Sequence, residues 1–414
     1  MAAFARQPRG SGYVLHVTFI FTIIGAMLVL DAICWWLLAR LTHLQLGRIL
    51  LGIFMAAQMI TLICLIGSRI FQTGWDRWLP KFAVSALFIW HFIGLGLFAV
   101  VGLGSVPILV VQKIIKANRQ AWQRPTPTVA EDGHVWSRRE FLGFAAALTP
   151  LLLTFSLAGF ALSQLNRFRV RRFVLPVPNL PVDLDGLTIA QVSDMHVGRF
   201  TSGQVLEEVV RTVNELRADL VLLTGDLIND ALGDLDHGLE LAGRMQGRFG
   251  KFLIEGNHDL IENGTEFERR VRASSIPFLL DESAIVTVRG TPLQLLGLSW
   301  TRAHENRDQA IAQSVNKLLE QRQENVFPIL LAHHPHAFEA AAEARMPLTL
   351  SGHTHGGQLM LNEQLGFGPA LFRYWSGLYT RGESKLIVSN GVGNWFPIRA
   401  NAPAELIHIT LHRS

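Results

Sequence analysis

Side chains that bind divalent metals cluster in five short segments in the second half of this 414-residue chain. The segments are SDMHVG with Asp194 and His196, TGDLIND with Asp226, GNHD with Asn257, His258 and Asp259, HHPH with His333, His334 and His336, and GHTH with His353 and His355. Carboxylate, amide and imidazole ligands without thiolate suit Mn, Fe, Zn or Ni rather than a structural zinc site of the cysteine type. The ligands exceed the needs of one ion. This favours two divalent ions about 3.5–4 Å apart that share a bridging carboxylate.

A metal pair of this kind has a definite chemistry. It lowers the pKa of a bridging water, and it stabilises the attacking and leaving oxygens of an in-line displacement at phosphorus. Glycines lie in or beside the segments at Gly225, Gly256, Gly352, Gly356 and Gly357. We expect them to let backbone and phosphate approach without obstruction by a Cβ atom.

Each of the five segments follows a short apolar stretch typical of a buried strand. The stretches are residues 187–192, 220–223, 252–254, 328–332 and 348–350. Because ligands of open α/β sheets bind at the carboxyl ends of strands, we expect the five segments to converge at one edge. A hairpin is predicted over 283–298, a helix over 304–323, and closing β structure over 386–388 and 405–411. This order of strands and helices implies a layered α/β domain.

The motifs D-x-H, G-D, G-N-H-D, H-x-P and G-H-T-H, in this order, resemble the signature of the calcineurin-like metallophosphoesterases. The resemblance covers roughly residues 180–414, and it implies a four-layer α/β/β/α metallophosphoesterase domain over residues 186–414. The stretch GHTHGGQ and the tail SNGVGNWFPIRANAPAEL are similar to a bacterial envelope branch, whose members often follow a membrane or twin-arginine segment.

The resemblance also implies a role for each site residue. Asp194, His196 and His355 would hold the first metal, Asn257, His333 and His353 the second, and Asp226 would bridge the two. His258 would not bind metal but would protonate the leaving oxygen or stabilise the charged phosphoryl group, and Asp259 would orient His258.

Three further residues are candidates for substrate binding. His334 fills the variable position of H-x-P and would contact substrate or solvent. Arg373 and Tyr374, in FRYWSGLY, could line a substrate pocket or lie at the membrane interface, since arginine suits a phosphate. Packing of a β layer is an equally good interpretation of this stretch.

The first 165 residues carry long uncharged runs that predict about four transmembrane helices, at residues 14–39, 47–67, 82–111 and 141–162. Each run is long enough to cross about 30 Å of hydrocarbon, although a buried helix is an alternative for the fourth. Residues 166–185 include a proline-rich stretch and predict an extended linker between this region and the catalytic domain. Asp31, His16, His43 and His91 interrupt or flank the runs, but their lack of shared spacing favours packing or boundary roles.

Basic loops set the expected orientation in the membrane. The densest basic loop carries Lys113, Lys116, Arg119, Arg124, Arg138 and Arg139 and is predicted to be cytoplasmic. The domain after residue 165 would then face outward, although basic residues at 167–172 favour the opposite side. The stretch SRREFLGFAAALTPLLL resembles a twin-arginine export signal, which favours the outward orientation. Two basic residues before a membrane helix are the simpler interpretation of that stretch.

The composition indicates neither a nucleic acid-binding protein nor a disulfide-rich one. A net charge of +4 and a pI near 9.3 do not indicate nucleic acid binding, because much of the Lys and Arg flanks the apolar runs. The two cysteines, Cys34 and Cys64, form no disulfide framework.

The sequence therefore predicts a multi-pass protein of the cell membrane that hydrolyses a phosphodiester or phosphomonoester, with an envelope or lipid-linked substrate. The attacking group would be a metal-bridging hydroxide. Two alternatives remain open. One is a cytoplasm-facing pyrophosphatase for nucleotides or lipid-linked nucleotides, and the other is a metal-binding platform or sensor without catalytic activity.

Overall fold

The computed structural model describes residues 11–42, 44–71, 74–101, 111, 137–201, 203–301, 306–362 and 364–414. The chain divides into two compact units, Met1–Gly159 and Phe160–Ser414. Residues 102–110 of the third predicted run, and Lys113, Lys116, Arg119 and Arg124 of the basic loop, lie outside the described residues.

The first unit is built from long apolar helices. They are α1 (Ser11–Leu41), α2 (Gln45–Phe71), α3 (Lys81–Ile89) with a π turn at Trp90–Gly94, and α4 (Arg138–Gln164), which continues into the second unit. Four spans among the described residues are long and apolar enough to cross a membrane: Ile24–Leu41, Gln45–Ser68, Lys81–Val101 and Glu140–Gln164. The fraction buried inside the protein ranges from 17% to 44% among the four spans. Most of their apolar surface is therefore exposed and would be stabilised by an apolar environment such as lipid. These helices suggest membrane association.

The predicted twin-arginine stretch coincides with the start of α4. Ser137 Oγ accepts a hydrogen bond from the Glu140 backbone N–H, and Glu140 accepts one from the Ser137 backbone N–H. This reciprocal arrangement is a capping box, which satisfies N–H groups at a helix terminus. The paired arginines therefore begin a capped helix, and their use in export stays a prediction.

The second unit contains two mixed β-sheets and a short two-stranded ribbon. Its strands are β1 (Phe168–Val177), β2 (Thr188–Val192), β3 (Leu220–Thr224), β4 (Lys251–Ile254), β5 (Glu282–Val288), β6 (Thr291–Gly297), β7 (Phe327–Leu331), β8 (Leu348–Ser351), β9 (Met360–Asn362), β10 (Leu365–Gly366), β11 (Gly377–Arg381), β12 (Ser384–Val388) and β13 (Ala404–Arg413). The five-stranded sheet has the order β1-β13-β2-β3-β4, and the six-stranded sheet has the order β11-β12-β8-β7-β6-β5. The strands predicted before the metal-binding segments are all present, with no end shifted by more than one residue.

The predicted linker is extended, but half of it belongs to a sheet. Strand β1 pairs in parallel with β13 over its full length, from Phe168 opposite Ala404 to Val177 opposite Arg413. Glu405, which is fully buried, accepts hydrogen bonds from the guanidinium groups of Arg169 and Arg171 on β1. This segment is therefore fixed as an edge strand rather than free as a connector.

Alternation of side chains along the strands gives each sheet two apolar faces. Leu220 and Leu222 of β3 join a cluster that also contains Ile329 of β7 and Leu348 of β8, so one face of each sheet meets the other sheet. The opposite face of β3 packs with three helices, α5 (Gln204–Leu216), α6 (Leu235–Arg244) and α7 (Gly264–Arg272). The six-stranded sheet packs with α8 (Arg307–Leu319) and α9 (Ala337–Glu343), and the short helix α10 spans Phe367–Leu371.

Candidate metal centre

The candidate ligands follow the carboxyl ends of strands from both sheets. Asp194 and His196 follow β2, Asp226 follows β3, Asn257 follows β4, His333 follows β7, and His353 and His355 follow β8. Strands β2, β3 and β4 are parallel neighbours, as are β7 and β8. Their carboxyl ends therefore lie side by side, which brings loops distant in sequence to one place.

The backbone at these positions is unusual. Five of the candidate ligands have a positive φ angle, in the left-handed region that residues other than glycine rarely adopt. They are Asp194 (54°), His196 (43°), Asp226 (55°), His353 (74°) and His355 (50°). Such conformations cost of order 1–3 kcal/mol each and concentrate at functional sites. The fold therefore holds these five side chains in place at an energetic cost.

The first ligand group consists of Asp194, His196 and His355, whose ligand atoms lie within 4.8 Å of one another. His355 Nε2 is 3.0 Å from His196 Nε2 and 3.3 Å from Asp194 Oδ1. Burial alone would raise the pKa of Asp194, but the nearby imidazoles of His355 and His196 hold it well below its usual range. A buried carboxylate facing two imidazole nitrogens is a suitable donor set for a divalent ion.

The second ligand group consists of Asp226, His333 and His353. His333 Nδ1 lies 2.7 Å from the Thr224 carbonyl oxygen, which only accepts, so Nδ1 carries a proton and Nε2 is the nitrogen that faces Asp226 and that an ion could bind. Nε2 is 3.1 Å from Asp226 Oδ2 but has no hydrogen-bond partner within the part of the chain that the structure describes. Burial opposes charging of His333, yet the Asp226 carboxylate raises its pKa to about 9.

Asn257 and Asp226 also present oxygen atoms that could bind an ion. Asn257 Oδ1 is buried and has no hydrogen-bond partner among the described residues, which leaves this oxygen available to an ion. Asp226 Oδ2 also lies 3.5 Å from His196 Nε2, so this carboxylate reaches histidines of both groups. Burial alone would raise the pKa of Asp226, but His333 and His258 lower it below its usual range.

His258 lies beside the ligands, and its ring is fixed. His258 Nδ1 lies 2.6 Å from the Asn229 carbonyl oxygen, to which it donates, so Nε2 is left for other contacts. The ring is 4.6 Å from that of His196, centroid to centroid, and 5.8 Å from that of Trp395. His258 also forms a group with His196 and Asp226 within metal-binding distance, so geometry alone allows either a ligand or an acid.

Asp259 contacts the backbone of the Asp226 loop and of its own loop in the structure. Its carboxylate does not orient the His258 ring, which is held by Asn229 instead. Oδ2 accepts hydrogen bonds from the backbone N–H groups of Asp226 at 3.0 Å and Gly256 at 2.8 Å, and Oδ1 accepts from Ile228 at 3.0 Å. Burial and the Asp226 charge raise the pKa of Asp259, which these backbone donors oppose. Asp259 therefore fixes the loop that carries Asp226.

We expect Asp259→Ala to weaken metal binding by about 10–100-fold, the usual effect of losing an outer partner of a metal ligand. The substitution leaves three buried backbone donors without their acceptor. Asp259→Asn should have a smaller effect, because the amide oxygen can still accept the two bonds made by Oδ2. Titration calorimetry with Mn²⁺ on the purified full chain measures this, with the exposed Asp236→Asn as control. Unchanged affinity in Asp259→Ala would refute the assignment.

The glycines near the ligands allow close approach of backbone, as predicted, and also of the ligand side chains. A Cβ atom on Gly352 would overlap Asp194 Oδ2, and one on Gly256 would overlap Asp226 Oδ1. A Cβ atom on Gly225 would lie 2.6 Å from His333 Nδ1. These three glycines therefore make room for ligand side chains, and Gly225 and Gly256 also make room for neighbouring backbone.

Arg399 is a buried residue that the sequence reasoning missed. Its guanidinium donates to the Asn394 side chain at 3.0 Å and to the carbonyl oxygens of Gly393 and Ala402 at 2.8 Å each, and Nη2 lies 3.3 Å from His355 Nδ1. Burial lowers its pKa to about 10, although the Asp194 and Glu405 charges oppose the shift. The only signal in the sequence was the similarity of the tail that contains it to other proteins.

An aromatic wall borders the second group. Trp300 lies with its ring centroid 5.0 Å from that of His353 and 5.6 Å from those of His333 and His334, and the Arg307 guanidinium lies over Trp300 at 4.7 Å. His334 is buried, and burial lowers its pKa strongly. A small cavity is lined by Trp300, Arg307, His333 and His334 among others. His334 is thus placed in the wall of the site, and Trp300 and Arg307 join it without having been predicted.

Arg373 and Tyr374, the candidates for substrate binding, contact a carboxylate of the protein in the structure. Both side chains bind the Glu339 carboxylate on α9, Tyr374 through its hydroxyl at 2.7 Å, and Arg381 binds the same carboxylate at 2.6 Å. Burial and the Glu339 contact raise the pKa of Tyr374 to about 12. The packing interpretation of this stretch fits these contacts better than substrate binding.

Comparisons with known proteins agree with the chemistry of the site. Residues 187–357 match the family model of the calcineurin-like phosphoesterases. A transmembrane protein with metallophosphoesterase domain from Danio rerio is 30% identical over 280 residues, which cover 66% of this chain and 64% of that protein. The metallophosphoesterase YkuE of Bacillus subtilis is 28% identical over 290 residues, which cover 66% of this chain and 97% of that protein.

A metallophosphoesterase of Helicobacter pylori is 29% identical over 245 residues, which cover 57% of this chain and 63% of that protein. The chain thus spans less than two thirds of the length of the Danio and Helicobacter relatives. The calcineurin-like metallophosphoesterase family, which uses divalent metals, is supported by the family model and by these relatives.

Proposed function

Because this family assignment rests on both the family model and the relatives, we propose that the chain is a membrane-anchored, metal-dependent phosphoesterase. The observation that carries the proposal is the position of Asp226, which belongs to two of the groups able to hold a metal. A carboxylate shared by neighbouring ligand groups is the expected bridge of a two-metal hydrolase. The two sheets and their flanking helices would form the inner and outer layers of a four-layer α/β/β/α domain.

The proposed centre holds two divalent ions, drawn from Mn, Zn, Fe and Ni. The residues that would hold them are Asp194, His196 and His355 for one ion, Asn257, His333 and His353 for the other, and Asp226 for both. Bound ions would supply an activated water and would withdraw charge from the phosphoryl group. The chain would supply the ligands, five of them at residues with positive φ, with the contacts of Asp259 and Arg399 supporting the loops, and His258 would donate a proton.

The proposed substrate is a phosphodiester or phosphomonoester of the cell envelope, such as a lipid head group or a lipid-linked precursor. The apolar helices support this class, because a membrane anchor keeps the chain near such substrates. We place the catalytic unit outside the cytoplasm on the charge of the loops. A reporter fused to the C-terminus tests the side, and a cytoplasmic signal would favour nucleotide or lipid-linked nucleotide substrates.

The activity is tested with the full chain in detergent or lipid nanodiscs. We expect hydrolysis of bis-para-nitrophenyl phosphate in the presence of Mn²⁺, loss of hydrolysis after chelation with EDTA, and recovery when Mn²⁺ is returned. The exposed-surface variant His237→Gln is the matched control, because His237 lies on α6 and outside the ligand groups. A protein that binds metal but hydrolyses neither this diester nor para-nitrophenyl phosphate with any of the four metals would be a binding platform instead.

A further inference from the structure

The helical unit contains a polar cluster that the phosphoesterase function does not use. Asp31 on α1 accepts a hydrogen bond from the Trp90 indole N–H through Oδ1 at 2.7 Å. His91 Nε2 lies 3.0 Å from Asp31 Oδ2. The side chains of His91 and Asp31 are only 7% and 11% exposed, although both lie within helices that are apolar enough to span a membrane.

The hydrogen bonds of His91 determine where its protons are. His91 Nδ1 lies 2.8 Å from the Leu87 carbonyl oxygen, which can only accept, so Nδ1 carries a hydrogen. If the ring is neutral, Nε2 then presents a lone pair to Asp31 Oδ2. Two lone pairs at 3.0 Å repel each other, so this contact requires a proton between the two atoms.

We propose that Asp31 and His91 form an intramembrane proton-binding site, which holds one proton between Asp31 Oδ2 and His91 Nε2. The pair is then neutral overall, whether the proton belongs to the carboxyl or to the imidazole. Loss of the proton would leave one uncompensated negative charge, and gain of a second would leave one positive charge. Either state is costly among apolar helices, which is why polar groups at such depth are commonly functional.

The surroundings of the pair are apolar. The neighbouring buried cluster contains Phe54 and Trp90, whose rings meet edge to face, and Leu95. Cys34, one turn further along α1, also interacts electrostatically with Asp31. Two arginines of the same helices contact other groups. Arg40 of α1 lies over the Trp36 ring, and Arg48 of α2 donates to the carbonyl oxygens of Ala39 and Thr42.

A local change in helix geometry brings both donors to the carboxylate. Trp90 and His91 are consecutive, and they open the π turn Trp90–Gly94. Single π turns inside α-helices occur frequently at functional sites. A Cβ atom on Gly94 would lie 2.5 Å from Cε3 of the Trp90 ring, so this position suits glycine. The helix is thus distorted at the place where it contacts Asp31.

The state of His91 can be observed directly by solid-state ¹⁵N NMR on histidine-labelled full chain in lipid bilayers. Subtraction of the His91→Gln spectrum assigns the signal. We expect Nδ1 to be protonated and Nε2 to share a proton, and we expect this state to persist from mildly acidic to mildly alkaline pH. In Asp31→Asn, whose amide can donate to Nε2, His91 should become an ordinary neutral ring protonated at Nδ1. A His91 that titrates as in water, or that does not respond to Asp31→Asn, would overturn the proposal.

Thermal stability of the same samples gives a second readout. If the folded pair holds a proton, its removal at alkaline pH leaves an uncompensated negative charge among apolar helices, which destabilises the wild type. The difference in unfolding midpoint between wild type and Asp31→Asn should therefore shrink as pH rises. The double variant Asp31→Asn/His91→Gln, which keeps a neutral hydrogen-bonded pair, should show no such dependence. A difference between wild type and Asp31→Asn that is constant with pH would refute the site.

Discussion

Asp226→Asn should reduce kcat/KM for bis-para-nitrophenyl phosphate by about 10²–10⁴-fold, since a bound metal supplies several kcal/mol of charge stabilisation and each ~1.4 kcal/mol is tenfold. Both carboxylate oxygens of Asp226 make contacts. Oδ2 faces His333 Nε2 at 3.1 Å and His196 Nε2 at 3.5 Å, and Oδ1 accepts the His258 backbone N–H at 2.8 Å. An amide in either orientation places an N–H donor where one of these acceptors was. The centre therefore loses either its shared ligand atom or the hydrogen bond that positions the His258 loop.

Metal content separates this explanation from misfolding. Asp226→Asn should bind less Mn²⁺ per chain than wild type, as measured by elemental analysis after gel filtration, while its unfolding midpoint without metal stays close to that of wild type. Asp236→Asn is the matched control, because Asp236 is an exposed carboxylate on α6 paired with Arg270. If Asp226→Asn retained full activity and full metal content, the bridging role would be wrong.

The positions of the candidate ligands could be predicted because they depend on local patterns. Each follows a short run of buried apolar residues, and parallel strands must end at a common edge. Residues from the segments after β2, β3, β4, β7 and β8 do lie together in the three groups that could hold a metal. Order along the chain and the strand pattern were sufficient for this step.

The contacts that hold the ligands could not be predicted, because they connect residues whose relation depends on the folded loops. The carboxylate of Asp259 turns toward backbone amides of its own loop and of the β3 loop rather than toward the neighbouring His258. Arg399 reaches His355 across 44 positions of sequence. The close packing of ligand side chains against Gly225, Gly256 and Gly352 is likewise visible only in the folded loops.

The same limit applies to elements far apart in sequence. Prolines and apolar residues after the last helix of the membrane half indicated an extended segment, but only the structure shows that β1 pairs with β13, more than 200 residues later. Asp31 and His91 are 60 positions apart on different helices, so no spacing rule relates them. For Arg373 the sequence left substrate binding, a membrane interface and packing of a β layer open, because its partner, Glu339 on α9, lies 34 positions away in sequence.

His258→Gln should lower kcat by about 10²–10⁴-fold for substrates with poor leaving groups, the usual contribution of a general acid. The physical basis is the ring's tautomer. Nδ1 donates to the Asn229 carbonyl at 2.6 Å, so protonation at Nε2 would give a donor beside the metal ligands. Para-nitrophenolate leaves readily without a proton, so the loss should be smaller for para-nitrophenyl esters than for an alkyl phosphodiester.

The dependence on leaving group decides between the two roles that the geometry allows for His258. A general acid predicts a steeper fall in kcat as the leaving group becomes more basic, with Mn²⁺ content unchanged from wild type. A metal ligand predicts lower Mn²⁺ content and an equal loss for every leaving group, because the metal centre itself is then impaired. His237→Gln, an exposed histidine on α6, should match wild type in both measurements. A uniform loss with depleted metal would move His258 into the ligand set and leave the leaving oxygen to be protonated by another group.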